Sequence, residues 1–143
     1  MNLNTLVERA AKRVEEIPYL SGIPVIVEEK GDTSNRLQVG IAKTKFAVIV
    51  GWNGFESGAN SSRTVYGKAR IVVSVYEQPV VNRKSEGART LLNAAQEIAK
   101  ELNLFTAEGG NAPLVFRKIT PVTELGDGKT IACDVELETE STL

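Results

Sequence analysis

The chain has 143 residues, 42% hydrophobic and 24% charged, which is the size and balance of one globular domain and excludes wholesale disorder. It holds no histidine and one cysteine, Cys133, which excludes Ser-His-Asp and Cys-His catalysis, histidine-ligated zinc, intrachain disulfides and multi-cysteine metal clusters. Net charge is −1, and no basic block with interleaved aromatics marks a dedicated nucleic-acid reader; an enzyme would be left with carboxylate, lysine or hydroxyl chemistry.

The start, Met1 to Arg9, lacks the basic lead and apolar block of a secretory signal, and no apolar run approaches the ~20 residues of a membrane helix. Synthesis in a reducing cytoplasm is the expectation. Leu3, Leu6, Val7, Ala10, Val14 and Ile17 recur at spacings of three and four, which predicts an amphipathic helix capped by Asn2 or Asn4 and ended by Pro18. Pro24 to Lys30 reads as a short strand, closed by a turn over Gly31 to Asn35. The stretch Arg36 to Lys45 fits either a helical turn or more sheet. Phe46 to Trp52 is apolar without alternation, as in a strand covered on both faces, with Trp52 in the core.

Residues 53–64 form a polar, glycine-bearing connection, expected to be a flexible hairpin tip. From Val65 to Glu77 the period is two, with Ile71, Val73 and Val75 on one face and Lys68, Arg70, Ser74 and Tyr76 on the other. Ala88, Leu91, Leu92, Ala95, Ile98, Ala99 and Leu102 mark a second amphipathic helix, from about Ser85 to Asn103. Leu114 to Val122 and Lys129 to about Glu138 read as two strands joined by the turn Gly126-Asp127-Gly128, with residues 139–143 a tail. The sum is a single α+β domain over residues 1–143. It has a mainly antiparallel sheet of four to five strands, two amphipathic helices on one face and a long protruding β-hairpin.

Charge is unevenly placed. From Glu124 onward six acids meet one base, a balance of −5, while residues 1–123 carry +4. In the last strand Asp134, Glu136, Glu138 and Glu140 share one face, and Ile131, Cys133, Val135 and Leu137 share the other. Such a row suits a partner or channel surface, or simply the wet face of a sheet; it is too straight for a hard-cation cage. Glu28-x-Lys30, with Asp32 nearby, has half of a metal-dependent nuclease pattern, but no second acid precedes it. Gly51, Gly54 and Gly58 with Ser61-Ser62 lead into a strand and lack the lysine of a phosphate loop. Cys133 alternates with buried positions and reads as a core residue. In Glu77-Gln78-Pro79-Val80-Val81-Asn82-Arg83, Asn82 can cap or brace the turn, and Glu77 can pair with Arg83 or with an arginine of a neighbouring subunit.

The order of elements, the long polar hairpin and the Glu-x-Pro-x-x-Asn-Arg passage together resemble the tail terminator and minor tail proteins of long-tailed bacteriophages, from about Leu3 to Leu137. The resemblance implies a small α+β protein forming a ring, typically a hexamer, that stops tail-tube polymerisation and joins the tube to the head. It implies no enzyme activity and no cofactor. The implied partners are copies of itself, the tail tube protein and a head-completion protein, with DNA only as passing cargo and no membrane. The protein would assemble in the host bacterial cytoplasm and end at the head-proximal end of the virion tail. Another head–tail connector or completion protein is the near rival, and a divalent-metal nuclease the rival of another class.

In that setting the Asp134/Glu136/Glu138/Glu140 row is expected to face the channel or the adjacent subunit. Lys68, Arg70 and Arg83 are the candidate complementary surface, and Glu77 and Asn82 are further candidates for the intersubunit or channel surface. Phe55, Glu56, Ser57, Asn60 and Arg63 are the candidate partner contacts at the hairpin tip.

Overall fold

The computed structural model describes residues 2–28, 33–58, 63–84, 88–107 and 112–142. Its elements in chain order are α1 (Leu3–Glu15), β1 (Val25–Val27), α2 (Thr33–Thr44), β2 (Phe46–Ser57) and β3 (Tyr66–Glu77), then α3 (Pro79–Asn82), α4 (Leu91–Leu102), β4 (Val115–Ile119), β5 (Thr123–Glu124) and β6 (Ile131–Thr142). The sheet runs β1-β2-β3-β6-β4, with β5 also paired to β6; β1 is parallel to β2 and the other pairings are antiparallel. This is the expected α+β class.

The expected apolar stripes make the core. Leu6, Val7, Ala10 and Val14 of α1 and Leu91, Ala94, Ala95, Ile98 and Leu102 of α4 are buried on one face of the sheet, against Phe46, Val48, Val50, Ile71, Val73, Val75, Cys133, Val135 and Leu137. Each large side chain buried there contributes on the order of 1.5–3 kcal/mol. Asn2 caps α1, its Oδ1 accepting from the amides of Asn4 and Thr5 at 2.8 and 3.3 Å. Pro18 opens a single 3-10 turn, Pro18–Leu20, after the helix has ended.

The undecided stretch Arg36 to Lys45 is helical, and the helix reaches back over Thr33 to Asn35, where a turn was expected. It packs on the opposite face of the sheet, where Ile26, Ile41, Ala47 and Ile49 are buried apart from the main core. Gly40 makes this possible: a Cβ there would lie 3.1 Å from Pro24 Cγ, tighter than ordinary contact. Because α2 covers this second face, residues 46–51 are buried on both sides.

Four boundaries differ from expectation. First, β2 does not end at Trp52 but passes a bulge between Trp52 and Phe55 and pairs with β3 as far as Ser57↔Gly67. The bulge shifts the alternation, which hides the strand in the sequence. Trp52 is 41% exposed, not a core residue.

Second, β6 runs to Thr142 in continuous register with β3, so residues 139–142 are strand and the hairpin carries a third strand along its length. Third, α4 begins at Leu91, with Ala88 outside it and Leu92 half-exposed; a short α3 precedes it. Fourth, β1 stops at Val27, and the strand expected over Leu114 to Val122 is reduced to β4, with β5 a separate short strand beyond it.

Candidate functional site: a charged sheet face and a buried carboxylate

The face of the sheet away from α1 and α4 carries the predicted acidic row, and strand register decides its neighbours. Lys68 stands opposite Glu140, Arg70 opposite Glu138 and Ser74 opposite Asp134 on the β3 side, while Lys118 stands opposite Glu136 on the β4 side. Glu138, whose side chain is only 15% exposed, is ringed by Lys68 Nζ at 3.7 Å, Arg70 Nε at 4.0 Å and Arg117 Nη1 at 3.6 Å. Glu136 has Lys118 Nζ at 3.8 Å, and Ser74 Oγ donates to Asp134 Oδ1 at 2.7 Å. Arg70 Nη2 also reaches Glu56 Oε2 at 3.0 Å.

The acids therefore form a floor overhung by half-exposed bases of the same chain. Lys68 and Arg70, expected to complement the row from a neighbouring subunit, already do so within one protomer. Arg117 and Lys118 were not singled out in the sequence, because only the β4–β6 register brings them to the row. A groove of about 660 Å³ runs between Glu56, Lys68, Arg70, Arg117, Glu138 and Glu140.

The tip residues divide. Phe55 packs against the core, and Glu56 joins the charged face beside Arg70. Ser57 ends β2 opposite Gly67, where a Cβ would sit 2.1 Å from the Glu56 carbonyl oxygen, so the strands need glycine to approach this closely. Arg63 is exposed, and Asn60 lies outside the described residues.

Glu77 is wholly buried at the end of β3. Its Oε2 accepts from Asn82 Nδ2 at 2.7 Å and Arg83 Nε at 3.1 Å, and its Oε1 accepts from Arg83 Nη2 at 2.9 Å and the Leu91 amide at 3.1 Å. Asn82 Nδ2 also donates to the Arg89 carbonyl at 2.8 Å. Burial alone would push the Glu77 carboxyl up. The hydrogen bonds from Arg83, Asn82 and the Leu91 amide outweigh it and hold the group below the usual carboxylate range. Glu77, Asn82 and Arg83 thus latch α3 to the start of α4 within the chain, where the sequence left open a pairing between subunits.

For the nuclease pattern, Glu28 follows β1 and its carboxylate lies over Gly51, while Lys30 and Asp32 lie outside the described residues. Among the described residues, no three His, Cys, Asp or Glu side chains gather in a metal-holding group. Burial pushes the Cys133 thiol up to about 11, as for an inert core residue. No helix among the described residues is long and apolar enough to cross a membrane.

No family model matches the chain, and no curated protein does. Solved structures do match. A chain from the virion of a native gene transfer agent particle superposes with a TM-score of 0.60 at 11% identity, covering 96% of this chain and 95% of that one. A second solved chain matches with a TM-score of 0.57 at 10% identity, covering 95% of this chain and 89% of that one. The whole fold is shared with these proteins.

Proposed function

We propose that this chain is a structural protein of a phage-like virion, a tail terminator that forms a ring on the end of the tail tube, stops its polymerisation and joins it to the head. The observation that carries the reading is the likeness, over nearly the full length of both chains, to a component of a gene transfer agent virion. The Glu-x-Pro-x-x-Asn-Arg passage and the layout of elements support the finer assignment. The partners are further copies of the chain, the tube protein and a head-completion protein, with DNA as cargo.

In this reading the charged sheet face lines the channel. Affinity for a duplex grows with the number of phosphates a protein neutralises. Here Lys68, Arg70, Arg117 and Lys118 are matched by Glu56, Asp134, Glu136, Glu138 and Glu140, and several of these are already in ion pairs. Such a wall offers passing DNA little net attraction.

The test is tube assembly. Purified tube protein from the same virus is allowed to polymerise with and without this chain, and the products are imaged by electron microscopy. Tubes capped at one end and limited in length support the reading, and tubes unaffected by an equimolar amount of the chain contradict it. In a parallel mixture with DNA-filled heads, binding to the heads and not to the tubes would favour the head–tail connector.

A further inference from the structure

The bulge in β2 carries a chemically reactive pair. Asn53 and Gly54 together stand opposite one residue of β3, Arg70, between the pairs Trp52↔Ile71 and Phe55↔Ala69. Asn53 is exposed, and its carboxamide makes no hydrogen bond among the described residues. Gly54 has φ +102°, and nothing lies within 4 Å of the place where a Cβ would stand on it. Asn53 is also the one asparagine in the chain that is followed by glycine. The free carboxamide, the missing Cβ and the break in the ladder thus coincide at one bond.

We propose that Asn53 is a site of spontaneous deamidation, which converts it to a mixture of aspartate and isoaspartate as the protein ages. The Gly54 backbone nitrogen attacks Asn53 Cγ. A C–N bond forms, the Cγ–Nδ2 bond breaks, and Nδ2 leaves as ammonia, taking the proton that the Gly54 nitrogen gives up. The five-membered imide that results is opened by water. Attack at Cγ gives aspartate, and attack at the backbone carbonyl carbon gives isoaspartate. No oxidant, metal or second protein takes part, and glycine favours the first step because no side chain crowds the attacking nitrogen.

The other described asparagines are held away from this route. Asn2 and Asn103 accept backbone hydrogen bonds through Oδ1, and the Nδ2 of Asn82 is held by Glu77 and the Arg89 carbonyl. Asn4, Asn35 and Asn93 lie in α1, α2 and α4 and are followed by Thr5, Arg36 and Ala94, each with a Cβ. The related pair Asp127-Gly128 is locked differently, because the Asp127 carboxylate accepts from the Lys129 amide, the Thr130 amide and the Thr130 hydroxyl.

The product alters the charged face. Asn53 lines a cavity of about 270 Å³ together with Arg70, Arg117, Lys118, Glu136 and Glu138. Conversion sets a new carboxylate among these side chains and makes the protein one charge more negative. Isoaspartate also adds one carbon to the main chain. A bulge already accommodates an extra residue, so the lengthening is taken up there and the flanking pairs persist.

The experiment ages the full native chain at pH 8 and at pH 5 for several weeks. Samples are digested and mapped by mass spectrometry, with the digest made at time zero subtracted. At pH 8 the peptide holding Asn53 should gain the mass of an amide-to-acid exchange, separate into aspartate and isoaspartate forms, and convert at least about tenfold faster than those of Asn4, Asn35 and Asn93. At pH 5 conversion should be slower, because the deprotonated nitrogen is the nucleophile. Gly54→Ala should slow it about tenfold at pH 8. Alanine is strained at this φ, so Asn53→Gln is the second variant: it leaves the glycine in place, would need a larger ring, and should remove the acidic form that ion exchange resolves in the aged native protein. Conversion at Asn53 no faster than at Asn93 in the folded chain, or an acidic form that accumulates equally in Asn53→Gln, overturns the proposal.

Discussion

Arg83 grips Glu77 with two nitrogens, Nε on Oε2 at 3.1 Å and Nη2 on Oε1 at 2.9 Å, and the carboxylate it holds is wholly buried. The pair spans six residues of sequence yet ties a central strand to the start of the second core helix, through the Leu91 amide that shares the same carboxylate. Removing one partner of a buried pair strands the other charge, which costs about 3–5 kcal/mol when both are buried. Because the Arg83 side chain is half-exposed, Arg83→Ala should cost about 2 kcal/mol, read as a lower urea midpoint at unchanged slope. Glu77→Gln, which keeps shape and some hydrogen bonds, should cost less than Glu77→Ala.

The latch also sets an acid limit. Glu77 has a lower pKa folded than unfolded, so protonation favours the unfolded chain. Its stabilisation is fully present above the unfolded carboxylate value of about 4.3 and is lost as pH falls through the lower folded value. Asp127, held low by the Lys129 amide, the Thr130 hydroxyl and the Thr130 amide, acts in the same direction. Urea titrations between pH 7 and pH 3 should therefore show stability falling at the acid end, and falling less steeply in Glu77→Gln. Identical slopes in the two proteins would contradict this account of the carboxylate.

Gly67 makes a different demand. A methyl group there would enter the Glu56 carbonyl and the Ser57 backbone, none of which can rotate away. Gly67→Ala should cost about 2–3 kcal/mol and should accelerate amide exchange in Glu56–Ser57 and Tyr66–Lys68 first. Uniform exchange across the sheet would show that the two strands tolerate a wider spacing.

Glu138 is the hub of the charged face. Glu138→Ala leaves Lys68, Arg70 and Arg117 without the anion between them. The distances are long and the bases half-exposed, so the loss should be no more than about 1 kcal/mol at low salt. It should shrink in 1 M salt, where screening acts within about 3 Å. The same variant should bind duplex DNA more tightly at low ionic strength than the native protein, measured by fluorescence anisotropy.

What was legible in the sequence followed from periodicity. The stripe from Leu6 to Val14 and the alternations through Ile71–Val75 and Cys133–Leu137 each have one consistent period, and each proved to be core. What was not legible has local causes. The helix α2 carries Gly40 and few apolar residues, because it packs closely on Pro24 instead of burying a wide stripe. The end of β2 is hidden by its bulge, and the start of α4 is set by the Thr90 cap and the Glu77 carboxylate, not by the apolar pattern that continues back to Ala88. The pairing of the acidic row with Lys68, Arg70, Arg117 and Lys118 depends on strand registers between residues far apart in the chain, which composition alone does not encode.

The central claim, that this chain builds a ring, is tested most directly by its mass in solution and at the tube end. Light scattering of the purified protein, repeated with tube protein added, should give a closed multiple of the protomer mass, and electron micrographs of that species should show a ring with an open centre. A protomer that keeps its single-chain mass at high concentration and in the presence of tube ends would contradict the account.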